Sequence, residues 1–491
     1  MLRPWKITLS ERISTARDMP LYLQIVHALI HEIQRGRLTP GTFLPSSREL
    51  ARTLEVNRKT IVLAYEDLVA QGWLEARGTR GTMVAASLPE QPQAALGHVA
   101  PADIPSFRFR SAGEPPFVLS GSSWLTIDEG TPDCRLFPVD TLARAYRDAI
   151  IRARRWNRLR YGDPRGSVLL RQCLVDMLAA ERGLVATADH ICITRGSQMA
   201  ISIAARVLVS PGDTVVMEEL SYAPAAHAFV AAGAKVVSVP VDGGGVNVEA
   251  IERACRKHRV CAIFLTPHHH FPTTVALRPD RRLRLLDLSR QFGFAIIEDD
   301  YDHEYHFESQ PLLPIASYAP GNVIYVGSLS KLTLPALRIG YIVAPSQVIE
   351  AIAGQVMDTD RQGNILTEEA VAELIDAGEL RRHARKTNLI YARRRDMFAD
   401  LLREKLGDCC DFDTPDGGLA FWLRFRDQAA LDRIDRDAAA RLLRLAPSTS
   451  YAIGGTGARG LRLGFASLDE REASDAIGRL AGAIGGTSGS A

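Results

Sequence analysis

Two stretches of different hydrophobic period, separated by a run of Pro, Ala, Gln and Gly, constrain this chain to at least two separately cored units. Over residues 20–36 the apolar residues Tyr22, Ile25, Val26, Leu29, Ile30 and Ile33 recur at helical spacing. Gly36 ends that helix, and Pro40-Gly41 marks a turn. Ser46 with Glu49 three residues on is a capping-box pattern that opens a second helix, with Leu50 and Leu54 inward. Asn57 caps a third, whose buried stripe is Ile61, Tyr65 and Leu68. Gly72 ends it, and 73–84, with Gly78 and Gly81 inside, reads as two short strands around a tight basic turn. Residues 15–85 are therefore expected to form a mostly α module of three helices and a wing.

Residues 86–117 lack periodicity and read as a linker. From 118 to 487 short apolar strands alternate with longer helical patterns, which implies an α/β unit with a mostly parallel sheet covered on both faces. The candidate strands are 191–194, 214–217, 235–239, 262–265, 295–297 and 323–326. After about Ser346 the helices lengthen, and 418–424 reads as a strand of a smaller C-terminal α/β subdomain. A length of 491 residues, 46% of them apolar and 24% charged, suits a multi-domain soluble protein. Net charge is only +2, so affinity for nucleic acid must come from a local patch. No leader pattern and no run of about 18 apolar residues is visible, so a cytoplasmic chain without a membrane partner is expected. The seven cysteines include no C-x-x-C, and Cys409-Cys410 are adjacent; reduced thiols are expected, not bridges or a zinc knuckle.

Basic residues gather at one edge of the N-terminal module. Asn57, Arg58, Lys59 and Thr60 open the third helix on the face opposite Ile61 and Tyr65, where a helix-turn-helix meets the major groove. Arg48 lies early in the preceding helix, and Arg77 and Arg80 flank the wing glycines. The strings LPSSRELA, NRKTIVLAYEDL and RGTRGT resemble a GntR-type winged helix, and the resemblance spans the whole module. It implies operator DNA as a partner, with Arg48, Arg58, Thr60, Gly81 and Thr82 among the contacts.

A second group of residues sits at strand ends in the α/β region. Lys331, in Ser328-Leu329-Ser330-Lys331, follows one apolar strand, and Asp299 follows another. Ligands bind at such carboxyl ends in open α/β sheets. Gly196-Ser197-Gln198 lies between a strand and a helix, where backbone N–H groups bind phosphate. Ser328, Ser330 and Arg338 add hydroxyl and guanidinium contacts. Tyr222 lies past a strand as a stacking platform, and Tyr301 is placed to hydrogen-bond a ring hydroxyl. An amine for a Schiff base, a carboxylate for a ring nitrogen, a phosphate cradle and an aromatic platform are what pyridoxal phosphate requires.

The strings YGDPRGSVLLR, ITRGSQMA, LTPHHHFPTT, IIEDDYDHEYHF, VGSLSKLTLPALRIGY and LRLGFAS resemble a fold type I aminotransferase from Leu125 to about Ser467. With the N-terminal module, the chain most resembles the MocR-like regulators, which join a GntR-type winged helix to that scaffold. The resemblance implies that Tyr161 reaches the phosphate of a neighbouring subunit, hence a homodimer with shared sites. It implies that Arg462 clamps an effector carboxylate. Aminotransferases generally carry an asparagine where this chain has Phe271, which argues against efficient catalysis. The triplet His268-His269-His270 is expected to hold no metal, because consecutive side chains diverge; a pocket-rim histidine, His270, near the ring hydroxyl is expected instead. The implied function is a transcription regulator that senses a small amine or amino acid through external aldimine formation. Two rivals remain: an active aminotransferase with an accessory DNA-binding domain, and a sensor of pyridoxal phosphate itself.

Overall fold

In the N-terminal unit three helices bury one apolar stripe each: α1 (Leu21–Gln34), α2 (Ser47–Thr53) and α3 (Arg58–Ala70). Ile25, Val26, Leu29, Leu50, Ile61, Tyr65 and Leu68 meet in one cluster. Full burial of each large apolar side chain contributes roughly 1.5–3 kcal/mol. The Ser46 hydroxyl accepts the Glu49 N–H at 3.2 Å, and the Asn57 side chain accepts the Lys59 N–H at 2.9 Å. Gly36 and Gly72 close α1 and α3 at φ of 72° and 79°, which glycine adopts without steric cost. Tyr65 Oη donates to the Pro45 carbonyl at 2.9 Å and pins α3 to the turn before α2. The wing is β1 (Leu74–Ala76) antiparallel to β2 (Thr82–Val84), with Leu74 opposite Val84.

The computed structural model describes residues 19–89, 108, 124–308, 312–455 and 459–485. The chain divides into two compact units, Met1–Phe117 and Val118–Ala491. The expected linker lies outside the described residues except for 86–89 and 108, as do positions 15–18 and 486–487.

The C-terminal unit is built on seven strands: β3 (Ile191–Thr194), β4 (Thr214–Glu218), β5 (Lys235–Val239), β6 (Val260–Leu265), β7 (Ala295–Asp300), β8 (Val323–Ser328) and β9 (Gly340–Val343). Their order is β3-β9-β8-β7-β6-β4-β5. The pairs from β8 to β5 are parallel, whereas β9 runs antiparallel to both its neighbours. The strands alternate between two cores. Ile193, Ile296, Val323 and Tyr325 enter one, while Cys192, Ile297, Ile324 and Val326 enter the other. Helices on both faces supply the rest of these cores, among them α4 (Val139–Arg155) and α5 (Ser197–Leu208).

The C-terminal layer packs the long α6 (Glu379–Leu406) on a sheet containing β10 (Ala420–Phe425) and β11 (Leu461–Gly464). Strand β10 begins and ends slightly later than the 418–424 expected. The layer is tied to the central sheet next to β4: Ser221 N–H donates to the Tyr451 carbonyl at 2.9 Å, and Ile453 N–H to that of Glu219 at 2.8 Å. All seven cysteines are free. Among the described residues no helix is long and apolar enough to cross a membrane.

Candidate functional site

Strands β7 and β8 are parallel neighbours with Asp299 opposite Val326, so their carboxyl ends bring Asp299 and the Ser328–Lys331 turn to one side of the sheet. Asp299 lies inside β7 rather than beyond it, because the strand continues to Asp300. Its carboxylate is buried, and Oδ1 finds no hydrogen-bond partner among the described residues. Burial, reinforced by Asp300 and Asp302, pushes its pKa up to about 8. The Lys331 ammonium donates to the Gly130 carbonyl, and burial of the amine lowers its pKa.

The turn from β3 into α5 forms a cradle. Gly196 caps α5 at φ 79°, and a Cβ there would come within 2.9 Å of the Arg338 guanidinium. Arg338 Nη2 donates to the Arg195 carbonyl at 2.9 Å, fixing the guanidinium over this turn. Arg338 itself adopts φ 53°, a conformation that costs a non-glycine residue of order 1–3 kcal/mol and recurs at ligand sites. Ser197 and Gln198 open the helix, where backbone N–H groups lack intrahelical partners. The Gln198 amide donates to the Pro224 carbonyl at 3.0 Å and joins the cradle to the Tyr222 segment. Tyr222 meets Phe271 edge to face with ring centres 5.5 Å apart. Ser328 is buried, and its hydroxyl accepts the Ser330 N–H at 3.2 Å.

Arg462, on β11, is only 2% exposed, and three of its donors meet protein oxygens. Nε donates to the Glu129 carbonyl at 2.8 Å, Nη1 to that of Pro272 at 2.9 Å, and Nη2 to Tyr301 Oη at 3.2 Å. Tyr301 in turn donates to the His269 carbonyl at 3.0 Å, so its hydroxyl is already engaged. The Glu129 carboxyl interacts with Arg462 and Tyr451; burial raises its pKa, partly offset by Arg462. Sequence reasoning missed Glu129 and Tyr451, since neither lies in a patterned position.

The structure corrects the expectation for His270. Its ring is buried away from any rim, with Nδ1 2.6 Å from Thr273 Oγ1 and Nε2 2.9 Å from the Leu220 carbonyl. A fully engaged core histidine replaces the expected contact to a ring hydroxyl. Within the triplet only His270 turns away: the His268 and His269 rings lie 4.6 Å apart, and His268 also meets His303 and His306 from the loop after β7, one ligand-capable atom of each of these three lying within 4.8 Å of the others. Tyr161 lies on the surface, 78% exposed, with the Arg361 guanidinium 5.2 Å from its ring centre.

In the small unit Arg48, Asn57, Arg58 and Lys59 are exposed and Thr60 is half-buried. Asn57 spends its side-chain oxygen on the cap of α3, and Arg58 Nε lies 3.4 Å from Ser47 Oγ. In the wing Arg77 is paired with Glu75 at 2.7 Å, whereas Arg80 and Gly81 are exposed and Thr82 opens β2.

Comparison with known proteins matches residues 21–84 to the family "Bacterial regulatory proteins, gntR family" and residues 130–480 to "Aminotransferase class I and II". The chain is 31% identical to the probable rhizopine catabolism regulatory protein MocR of Rhizobium meliloti, over 95% of this chain and 94% of that protein. It is 28% identical to the pyridoxine biosynthesis transcriptional regulator PdxR of Corynebacterium glutamicum, over 91% and 92% of the two chains. Among solved structures, the Pyrococcus horikoshii kynurenine aminotransferase matches 74% of this chain and 91% of its own, with a TM-score of 0.68 and 27% identity. The aminotransferase match implies pyridoxal phosphate, and the residues present fit it. The unpaired Asp299 oxygen awaits a donor, the Gly196 turn has no room for a Cβ beneath Arg338, and the Lys331 amine is buried. The gntR match implies DNA binding. The chain belongs to the family of GntR-type transcription regulators that carry an aminotransferase class I and II domain.

Proposed function

We propose that this chain is a cytoplasmic regulator that holds pyridoxal phosphate on Lys331 and converts the arrival of a small primary amine into a change at operator DNA. The observation that carries this reading is the buried, unpaired carboxylate of Asp299, on the strand next to the one leading to Lys331. Such a carboxylate is costly alone and is satisfied by a protonated pyridine nitrogen. The cofactor, when bound, supplies an aldehyde that captures primary amines covalently.

The protein's own groups bind, orient and move protons. Asp299 would hold the ring nitrogen and its proton. The N–H groups of Ser197 and Gln198, with Ser328, Ser330 and Arg338, would hold the phosphate, and Tyr222 would face the ring. Burial biases Lys331 toward the neutral, nucleophilic amine. Arg462 makes three hydrogen bonds to protein oxygens out of the five N–H groups a guanidinium carries, so it retains capacity for an effector carboxylate. Regulation then requires that the amine favour one arrangement of the chain over another.

The reading includes a second copy of the chain. Ile150 and Ile151 on α4, with Trp156, Leu159 and Tyr161 after it, are large apolar or aromatic side chains left exposed within one short stretch of the chain, which favours an interaction face there. In the homodimer Tyr161 reaches the partner's phosphate site. On the small unit, Arg48, Arg58, Lys59 and Thr60 face the major groove, and Arg80, Gly81 and Thr82 bring the wing to the backbone or minor groove.

Borohydride reduction of the cofactor-loaded protein tests the anchor: the label belongs on the Lys331 peptide, and a label elsewhere overturns the assignment. Amines titrated into an operator-bound sample test the coupling. Absorbance and operator occupancy, or transcription, are expected to change together for the effector. If every amine alters the spectrum without touching DNA, while turnover with an oxo-acid acceptor is brisk, the chain is an aminotransferase instead.

A further inference from the structure

Close to the candidate cofactor pocket lies a group of histidines that the reading above does not use. His268 comes from the loop after β6, and His303 and His306 from the loop after β7. These loops meet because β6 and β7 are adjacent parallel strands that end on the same side of the sheet. His268 Nε2 lies 3.0 Å from His306 Nε2. The His303 ring completes the group, with centroids 4.7 Å from that of His268 and 5.7 Å from that of His306. One ligand-capable atom from each of the three falls within 4.8 Å of the others.

The surroundings are those of a cation site. Asp300 Oδ2 lies 3.1 Å from His303 Nδ1 and accepts from Tyr325 Oη at 2.6 Å. A carboxylate behind an imidazole orients it and raises its basicity as a ligand. Asp300 Oδ1 and Asp302 Oδ2 are buried without a hydrogen-bond partner among the described residues. Buried carboxylate oxygens are stabilised by positive charge nearby, part of which Arg182 already supplies, its Nε 3.7 Å from Asp300 Oδ2.

We propose that His268, His303 and His306 bind one divalent transition-metal ion, Zn2+ being the species committed to, with a fourth position for water. Three imidazoles exclude Mg2+ and Ca2+, which take oxygen ligands, and fit the three-histidine coordination seen for zinc. His268 and His303 are buried, and the half-buried His306 is the side from which the ion enters. The ion ties the loop bearing Phe271 to the loop that follows Asp299 and Tyr301. It therefore staples these two loops together.

The test uses the full-length, cofactor-loaded chain prepared without a histidine tag and stripped by a chelator. Zn2+ is titrated in competition with a chromophoric chelator, bound metal is counted by elemental analysis, and Co2+ is added separately to report coordination geometry. One Zn2+ per chain and a tetrahedral Co2+ spectrum are expected. His306→Ala should weaken Zn2+ by more than the roughly 10–100-fold typical of losing an outer-shell partner, since it removes a ligand. His227→Ala, at an exposed position, should leave the affinity unchanged. If His268→Ala or His303→Ala fails to fold, His306→Ala and His306→Gln remain, because that residue is only half-buried. Equal Zn2+ affinity in wild type and His306→Ala, or a Co2+ spectrum unchanged from solution, overturns the site and leaves a hydrogen-bonded histidine cluster.

Discussion

The guanidinium carbon of Arg462 lies 4.9 Å from the centre of the Phe271 ring. The Tyr301 ring is 5.9 Å away from the same carbon, so two aromatic walls meet one buried cation. Such contacts contribute about 0.5–2 kcal/mol each, more when desolvated. With its bonds to the Glu129 and Pro272 carbonyls, Arg462 is held in place before any ligand arrives. An arginine fixed in this way reads a carboxylate by its fork geometry, which lysine cannot copy.

Arg462→Lys is therefore expected to weaken the response to a carboxylate-bearing amine by about 1.5–3 kcal/mol, the range for hydrogen bonds to charged groups. Cofactor binding persists, because Lys331, Asp299 and Arg338 are unchanged. Spectral titration with paired amines, one with and one without a carboxylate, checks this; an equal loss for both would count against the clamp.

Glu129 predicts a pH effect. Burial raises its pKa, so it sheds negative charge at a higher pH than an ordinary glutamate. As pH falls its repulsion of an anionic effector disappears, and affinity for such an amine should rise. Glu129→Gln should raise that affinity several-fold near neutral pH and flatten the pH dependence. Titrations across pH on both proteins measure it, after correction for the amine's own ionisation.

Asp299 links the cofactor to stability. Its folded pKa of about 8 exceeds the unfolded value of about 4, so the cofactor-free native state binds more protons than the unfolded state between them. Stability of the cofactor-free chain should fall as pH rises through that window. Asp299→Asn should remove this dependence, raise the cofactor-free Tm at the alkaline end, and weaken the cofactor. Thermal melts with and without pyridoxal phosphate provide the check.

Arg58→Ala should cost operator binding about 1–3 kcal/mol, concentrated on one base pair if the guanidinium reads a guanine. The cofactor spectrum should not change, since Arg58 lies in the other compact unit. Gel-shift or anisotropy titrations against single-base operator variants measure the loss.

Local patterns carried much of the architecture. Caps at Ser46 and Asn57, stop glycines at 36 and 72, and apolar runs opening β7 and β8 were readable because each depends on near neighbours in sequence. The antiparallel β9 was not among the candidate strands, since it is defined by insertion between β3 and β8. His268 and His306 lie 38 positions apart and meet only through the lateral order of the sheet. His270 carries the same local signal as its neighbours, yet its fate was decided by the Leu220 carbonyl across the fold. The occupied donors of Arg462 likewise depend on Glu129 and Pro272, which no spacing rule connects to it.

The paired backbone bonds between Ser221 and Tyr451 and between Ile453 and Glu219 make Tyr222 and the C-terminal layer mechanically one lever. A push on the Tyr222 ring by an arriving amine would not be absorbed by a loose loop. It would travel through the 451–453 segment toward β11 and the arginine carried there. Motion on that lever is collective, so the amides of Ser221 and Ile453 should exchange their hydrogens in step, slowly, and at a rate that changes together when the amine binds.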